Sequence, residues 1–134
     1  MQREDTLSLA VEELKNGNLP IRVTHNDTKI NNVLFHPETN EPMVIVDLDT
    51  VMPGSLLYDF GDSVRFAANN GAEDDKDLSR VWIRTELYEE YASGFLGEMK
   101  DSITDEEIAN LHNGAIMMTL ECGMRFLTDY LEGD

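Results

Sequence analysis

One cysteine in 134 residues leaves no room for a disulfide framework or a cysteine-built zinc cluster. Bases are scarce as well. Ten Lys and Arg stand against 27 Asp and Glu, a formal charge of −17. Nucleic-acid and anionic-membrane binders present basic surfaces, so this balance argues against both classes. No stretch approaches the roughly 20 consecutive apolar residues of a membrane span. The opening Met-Gln-Arg-Glu-Asp has no apolar run of the signal-peptide kind. Internal repeats and low-complexity segments are missing too. With 41% hydrophobic residues the chain can still fold around a core of moderate size. The expectation is a single domain in a reducing compartment, the cytoplasm.

Residues 3–16 carry Leu7, Val11 and Leu14 at helical spacing, and Asn16-Gly17-Asn18 stops the pattern. Ile21–Thr24 is a short β-prone run. Val33–Phe35 and Met43–Val46 flank a turn cluster, so residues 31–47 read as a β-hairpin. Tyr58–Ala68 reads as a helix with Asp59 at its N-cap and Asp62 in its first turn. Asn69–Asp77 is a polar loop, and Leu78–Met99 suits an amphipathic helix. Thr104 with Glu107 forms a capping box ahead of a last helix reaching about Leu131. That helix has two apolar stripes, one through Ile108, Leu111, Ala115, Met118, Cys122 and Phe126, the other through Ile116, Leu120, Met124, Leu127 and Leu131. A helix apolar on two faces needs cover on both. The fold class expected is α+β, a small antiparallel hairpin with a mostly helical remainder.

The chemistry concentrates in His25-Asn26-Asp27-Thr28-Lys29-Ile30-Asn31-Asn32, just after the first short strand. Asp27 and Asn32 are five apart, with a His two residues before the Asp, as in the kinase catalytic loop. There the Asp accepts the proton of the substrate hydroxyl, and the Asn holds a magnesium ion. A second Asp, at the end of the next strand, binds the ions that bridge the ATP phosphates. Asp59-Phe60-Gly61 spells the protein-kinase triplet, but Asp47 ends the strand. With the hairpin turn centred between Thr39 and Asn40, Val33 faces Val46 and Asn32 faces Asp47. Directly opposed Cβ atoms lie ~4.5–5.5 Å apart, close enough to share an ion. Asp47 is therefore taken as the metal-binding acid, with Asp59 and Asp62 as capping residues.

His25 reads as a packed structural residue, His36 and His112 as turn or surface residues, and Cys122 as a small core residue. Lys29 has two readings, contact with a transferring phosphate or plain solvation. Asp49 has three: a second metal ligand, a substrate contact, or a tie within its own loop. Arg65 pairs either with Asp62 or with a ligand phosphate, the first being favoured.

The string THNDTKINNVLF, then VIVDLDTVMPGSLLYDFGDSVRF, resembles the aminoglycoside phosphotransferase and choline kinase superfamily, and within it the N-acetylhexosamine kinases. The resemblance runs from Leu19 to Phe66 and continues more weakly to GMRFLTDYLEGD. It implies a protein-kinase-like C-terminal lobe that transfers the γ-phosphate of ATP to a hydroxyl of a sugar or amino alcohol. Asp27 then matches the catalytic base, Asn32 and Asp47 the Mg²⁺ ligands, and Asp49 the second acid of an Asp-x-Asp/Glu signature. No glycine-rich phosphate loop precedes residue 25, so residues 1–134 are expected as one partial domain, a lobe fragment without the ATP-covering lobe and inactive alone.

Two other readings compete. Val44–Val51 also resembles the first motif of haloacid-dehalogenase-type phosphatases, which require a parallel sheet of strand–helix crossovers. The chain is alternatively a non-catalytic interaction module with inherited kinase motifs. Its bare apolar helix faces lead to an expected homodimer.

Overall fold

The computed structural model describes residues 4–73 and 75–133. Arg3, expected in the first helix, Asp74, in the expected loop, and Asp134 lie outside the described residues. Helix α1 (Glu4–Lys15) buries Ala10 completely. It ends where Gly17 turns left-handed (φ 76°) and the Asn18 amide donates to the Glu13 carbonyl at 3.0 Å. Glycine takes that backbone without the penalty of a Cβ.

Four short strands follow: β1 (Arg22–Thr24), β2 (Val33–Phe35), β3 (Pro42–Ile45) and β4 (Met52–Gly54). They form two separate antiparallel ladders, β1 with β4 and β2 with β3. The expected hairpin is present, with its register shifted by one residue. Val33 faces Ile45, not Val46, and Asn32 therefore faces Val46, not Asp47. The Val46 amide donates to the Asn32 carbonyl at 2.9 Å. The shift comes from the loop. Asn40 adopts a left-handed conformation (φ 58°), and the pairing slips by one between Leu34 and Phe35, so that Phe35 faces Pro42. The antiparallel sense is incompatible with the parallel crossover sheet of a dehalogenase-type phosphatase. The β1–β4 ladder gives no periodic signal in the sequence, because its second strand is three residues long and contains Pro53.

Helix α2 (Leu56–Ala67) is the centre of the core, with Leu57, Phe60 and Val64 buried. It starts earlier than expected. Ser55, not Asp59, is the N-cap, and its hydroxyl accepts the Leu57 amide at 3.2 Å. Phe60 packs against the rings of Tyr88, Tyr91 and Phe95 from α3 (Thr85–Met99), the nearest centroid at 5.2 Å. Helix α3 begins seven residues after the expected Leu78. Ile83 instead bridges Asn69, and the Arg84 amide donates to the Ala68 carbonyl at 2.7 Å. The β-prone Val81-Trp82-Ile83 completes the end of α2 before the chain turns helical.

Helix α4 (Asp105–Glu132) opens with the expected capping box, Thr104 with Glu107. It crosses α2 where Gly61 and Gly114 meet backbone to backbone; a Cβ on Gly114 would lie 2.5 Å from the Leu57 carbonyl oxygen. Arg22 ties β1 to this helix through a 2.7 Å ion pair with the buried Glu107. Of the first expected stripe of α4 only Leu111 and Cys122 are buried, joined by Met117, while Ile108 and Phe126 are exposed. Ile116, Met124, Leu127 and Leu131 are exposed, as are Leu34, Met43 and Ile45 of the hairpin. Among the described residues no helix is long and apolar enough to cross a membrane.

Candidate active site

Residues 25–32 link β1 to β2 and close with one 3-10 turn, Ile30–Asn32. The turn folds Asn32 back over Asp27. Its Nδ2 donates to Asp27 Oδ2 at 2.9 Å and to the Asp27 carbonyl at 2.8 Å. A carboxylate can only accept, so the amide nitrogen faces Asp27 and the amide oxygen points away. Lys29 pairs with Asp27 Oδ1 at 3.3 Å. The two residues expected at the reacting centre by their five-residue spacing are thus in contact.

Helix α2 is the floor of this loop. Asp59 Oδ2 accepts the His25 amide at 2.9 Å and Oδ1 accepts the Asn26 amide at 2.8 Å. The Asp59 carbonyl accepts the Thr28 hydroxyl at 2.7 Å. One helical turn on, Asp62 Oδ2 accepts the Thr28 amide at 2.8 Å. Positions three and four apart share one helix face, so Asp59, Asp62 and Ser63 all reach the loop. The expected capping role of both acids is therefore corrected: they brace the backbone around Asp27. Both Asp59 oxygens are taken by amides. Arg65 Nη2 pairs with Asp62 Oδ1 at 2.7 Å, and its Nη1 pairs with Glu73 at 2.7 Å, so Arg65 makes the structural pair.

The segment after β3 lies on the other side of the loop. His25 Nδ1 accepts the Asp27 amide at 3.2 Å, which leaves the ring proton on Nε2. That Nε2 donates to the Val46 carbonyl at 3.0 Å. His25 thus bridges the loop to the end of β3. Asp47, one residue on, is exposed and left-handed (φ 63°, ψ 59°), and a 3-10 turn, Leu48–Thr50, follows it. Asp49 holds Asp47 above the usual carboxylate range, first because a proton shared between the two carboxyls favours the neutral form and then through its like charge; the charge of Asp27 adds to this. Asp27, Asp47 and Asp49 therefore form one negative field. Hard oxygen donors of this kind suit Mg²⁺, which keeps several waters and shares its ligands with phosphates. Asp47, Asp49 and the amide oxygen of Asn32 fit such an ion in type. Among the described residues no three His, Cys, Asp or Glu side chains already converge on a metal position.

A cleft of about 520 Å³ opens beside Asp27, between the loop, α1 and α4. Leu7, Val11, Met117 and Met118 line it with apolar surface. Three acids, Asp27, Asp62 and Glu121, and three bases, Lys29, Arg65 and Arg125, also line it. No sequence motif marks Glu121 and Arg125. Their i,i+4 spacing puts them on one face of α4, but only the fold brings that face to Asp27.

Among solved structures, the chain is similar to that of an aminoglycoside-3'-phosphotransferase of type VIII, at 15% sequence identity and a TM-score of 0.46. The match covers 84% of this chain and 49% of that one, so the chain spans about half its length. The family model described as APH, phosphotransferase enzyme family, matches residues 2–93. That stretch holds the loop of residues 25–32, the Asp47–Asp49 turn and all of α2, and on it the chain belongs to the phosphotransferase enzyme family.

Proposed function

We propose that the chain is part of the C-terminal catalytic lobe of a small-molecule kinase that transfers the γ-phosphate of ATP to an acceptor hydroxyl. The observation that carries this reading is the 2.9 Å contact between Asn32 Nδ2 and Asp27 Oδ2. Asp27 is the general base. It takes the proton of the acceptor hydroxyl as that oxygen bonds to phosphorus and the bond to the ADP oxygen breaks. Asn32 keeps the Asp27 carboxylate aimed. Asn32 and Asp47, with Asp49 as second ligand or substrate contact, would hold Mg²⁺. When bound, Mg²⁺ offsets the phosphate charge that the acidic cluster would otherwise repel. Lys29, beside Asp27, is free to move to a phosphate oxygen once that charge arrives.

The cleft beside Asp27 is the acceptor pocket in this reading. Its three acids and three bases balance in a chain that carries −17 overall. Balanced, hydrogen-bonding walls suit a neutral polyhydroxyl compound better than a polycation, which supports a sugar of the N-acetylhexosamine kind over an aminoglycoside. ATP as donor agrees with a cytoplasmic location. The 134 residues form a single partial domain without turnover of their own, since they carry no glycine-rich phosphate loop before Asp27. The exposed stripe of α4, with the hairpin apolar face, pairs with a second copy; light scattering showing a monomer at high concentration rejects that pairing.

The deciding experiment is a phosphate-transfer panel on the complete gene product with ATP–Mg²⁺, offering sugars and amino alcohols. The expected result is transfer to a neutral sugar, abolished in Asp27→Asn. Transfer that survives Asp27→Asn overturns the base assignment. Clear turnover by the 134 residues alone overturns the claim that they are inactive.

A further inference from the structure

The turn that carries Asp47 and Asp49 has almost nothing to hold it in place. Asp47, Leu48 and Asp49 are all exposed, and Leu48 buries no side chain in the core at 60% exposure. The turn is fastened only at its ends. At the first end, His25 Nε2 donates to the Val46 carbonyl at 3.0 Å. At the second end, two bonds run in opposite directions. The Thr50 hydroxyl donates to the His25 carbonyl at 2.7 Å, and Asn26 Nδ2 donates to the Thr50 carbonyl at 3.0 Å. The Asn26 backbone is held left-handed (φ 64°). Its own amide goes to Asp59, so the clasp is rooted in α2.

We propose that Thr50 and Asn26 are positioning residues that fix Asp47 and Asp49 relative to Asp27 and Asn32, and so set how well Asp47, Asp49 and the Asn32 amide oxygen hold a divalent cation. The proposal rests on the reading of Asp47 as a metal ligand. Like charges drive the three carboxylates apart, and an exposed turn yields to that force unless its backbone is tied. Residues that orient ligands without touching the ion commonly change metal affinity by 10–100-fold. The reciprocal pair also explains why a threonine follows Asp49: its hydroxyl reaches the carbonyl two residues before the catalytic Asp, which valine in the same space could not bond.

Mn²⁺ binding, read from the electron paramagnetic resonance of the free ion, tests this on the 134-residue chain, with melting temperatures measured alongside. Thr50→Val is expected to weaken Mn²⁺ binding about tenfold, with Thr50→Ser restoring it. Asn26→Gly accepts the same backbone without strain and deletes both side-chain bonds, the Nδ2 donation to the Thr50 carbonyl and the Oδ1 acceptance of the Thr24 hydroxyl, which keeps its second acceptor, the Met52 carbonyl. It is expected to weaken Mn²⁺ by a similar factor while the melt shows it still folded at the temperature of the binding measurement. Asp47→Asn is the control. If Asp47→Asn weakens binding while Thr50→Val and Asn26→Gly leave it unchanged, the clasp proposal is wrong and the metal reading stands. If the wild type does not bind Mn²⁺, or Asp47→Asn binds as well as wild type, the metal reading falls and the clasp proposal falls with it.

Discussion

Asp59 sits beneath Asn26 with one carboxylate oxygen on the Asn26 amide at 2.8 Å and the other on the His25 amide at 2.9 Å. A residue in α2 thus fixes the two peptide groups that lead into Asp27. Asp59→Asn keeps the shape but turns one acceptor into an NH₂ group aimed at an N–H. The expected loss is about 2 kcal/mol of stability, from one broken bond and one amide left unpaired. A urea titration checks it. An unchanged midpoint would mean that the loop holds its shape without α2.

Glycine-to-alanine changes should have opposite signs at two helical positions. Gly61 lies against the Gly114 backbone, and a Cβ there meets the Gly114 carbonyl and the Met118 side chain. Gly61→Ala must push α2 and α4 apart, an expected cost of about 3 kcal/mol. Gly94, inside α3, has open space where a Cβ would go. Gly94→Ala should raise stability by about 0.5–1 kcal/mol, because alanine loses less backbone freedom in a helix. Thermal melts of the two variants separate packing from propensity.

How far these relationships are legible in the sequence follows from their range. The capping box at Thr104 and Glu107, the hairpin and the Asp27–Asn32 spacing are local patterns, and each is present in the fold. The hairpin register is not local. It turns on one left-handed residue, Asn40, and on a one-residue slip at Phe35, neither of which the apolar alternation encodes. Asp59 has the same limitation. Read along the chain it looks like a helix cap, and only the β1–β4 ladder, built on a three-residue strand with a proline, swings α2 under the loop of residues 25–32. Glu121 and Arg125 reach the cleft because Gly61 and Gly114 let two helices touch, which is a property of the pair and of neither sequence segment alone.

Acid should loosen the anchor between β1 and α4. Burial of the Glu107 carboxyl works to raise its pKa, but the bonds from Arg22 and from the Thr104 amide outweigh that and hold it below the usual range. The unfolded chain then binds the proton more readily than the folded one. Stability from this group is complete above the unfolded value, near pH 4.3, and drains as the pH falls through the lower folded value. Glu107→Gln removes the titration and leaves Arg22 without its counter-charge, at an expected cost of about 3 kcal/mol near pH 7. The gap between wild type and variant should narrow below pH 4. Melting temperatures at pH 7, 5, 4 and 3 test this, and a gap that stays constant or widens in acid contradicts it.

Arg65 offers a test of how far the brace extends. Its Nε and Nη2 both donate to Asp62 Oδ1, at 3.2 and 2.7 Å, while Nη1 donates to Glu73 at 2.7 Å. The other Asp62 oxygen receives the Thr28 amide, one residue past Asp27. A guanidinium fork can serve two carboxylates at once with fixed angles, and an ammonium cannot hold both in the same geometry. Arg65→Lys keeps the charge, so any change reports geometry and not net electrostatics. It should release Glu73, let Asp62 rotate off the Thr28 amide, and cost about 1–2 kcal/mol through one lost charged bond. Amide hydrogen exchange localises the effect: the Thr28 amide should exchange faster in Arg65→Lys while the His25 and Asn26 amides, held by Asp59, keep their protection. Uniform acceleration across all three would mean that Asp59 and Asp62 act as one unit, and that Arg65 supports the whole loop.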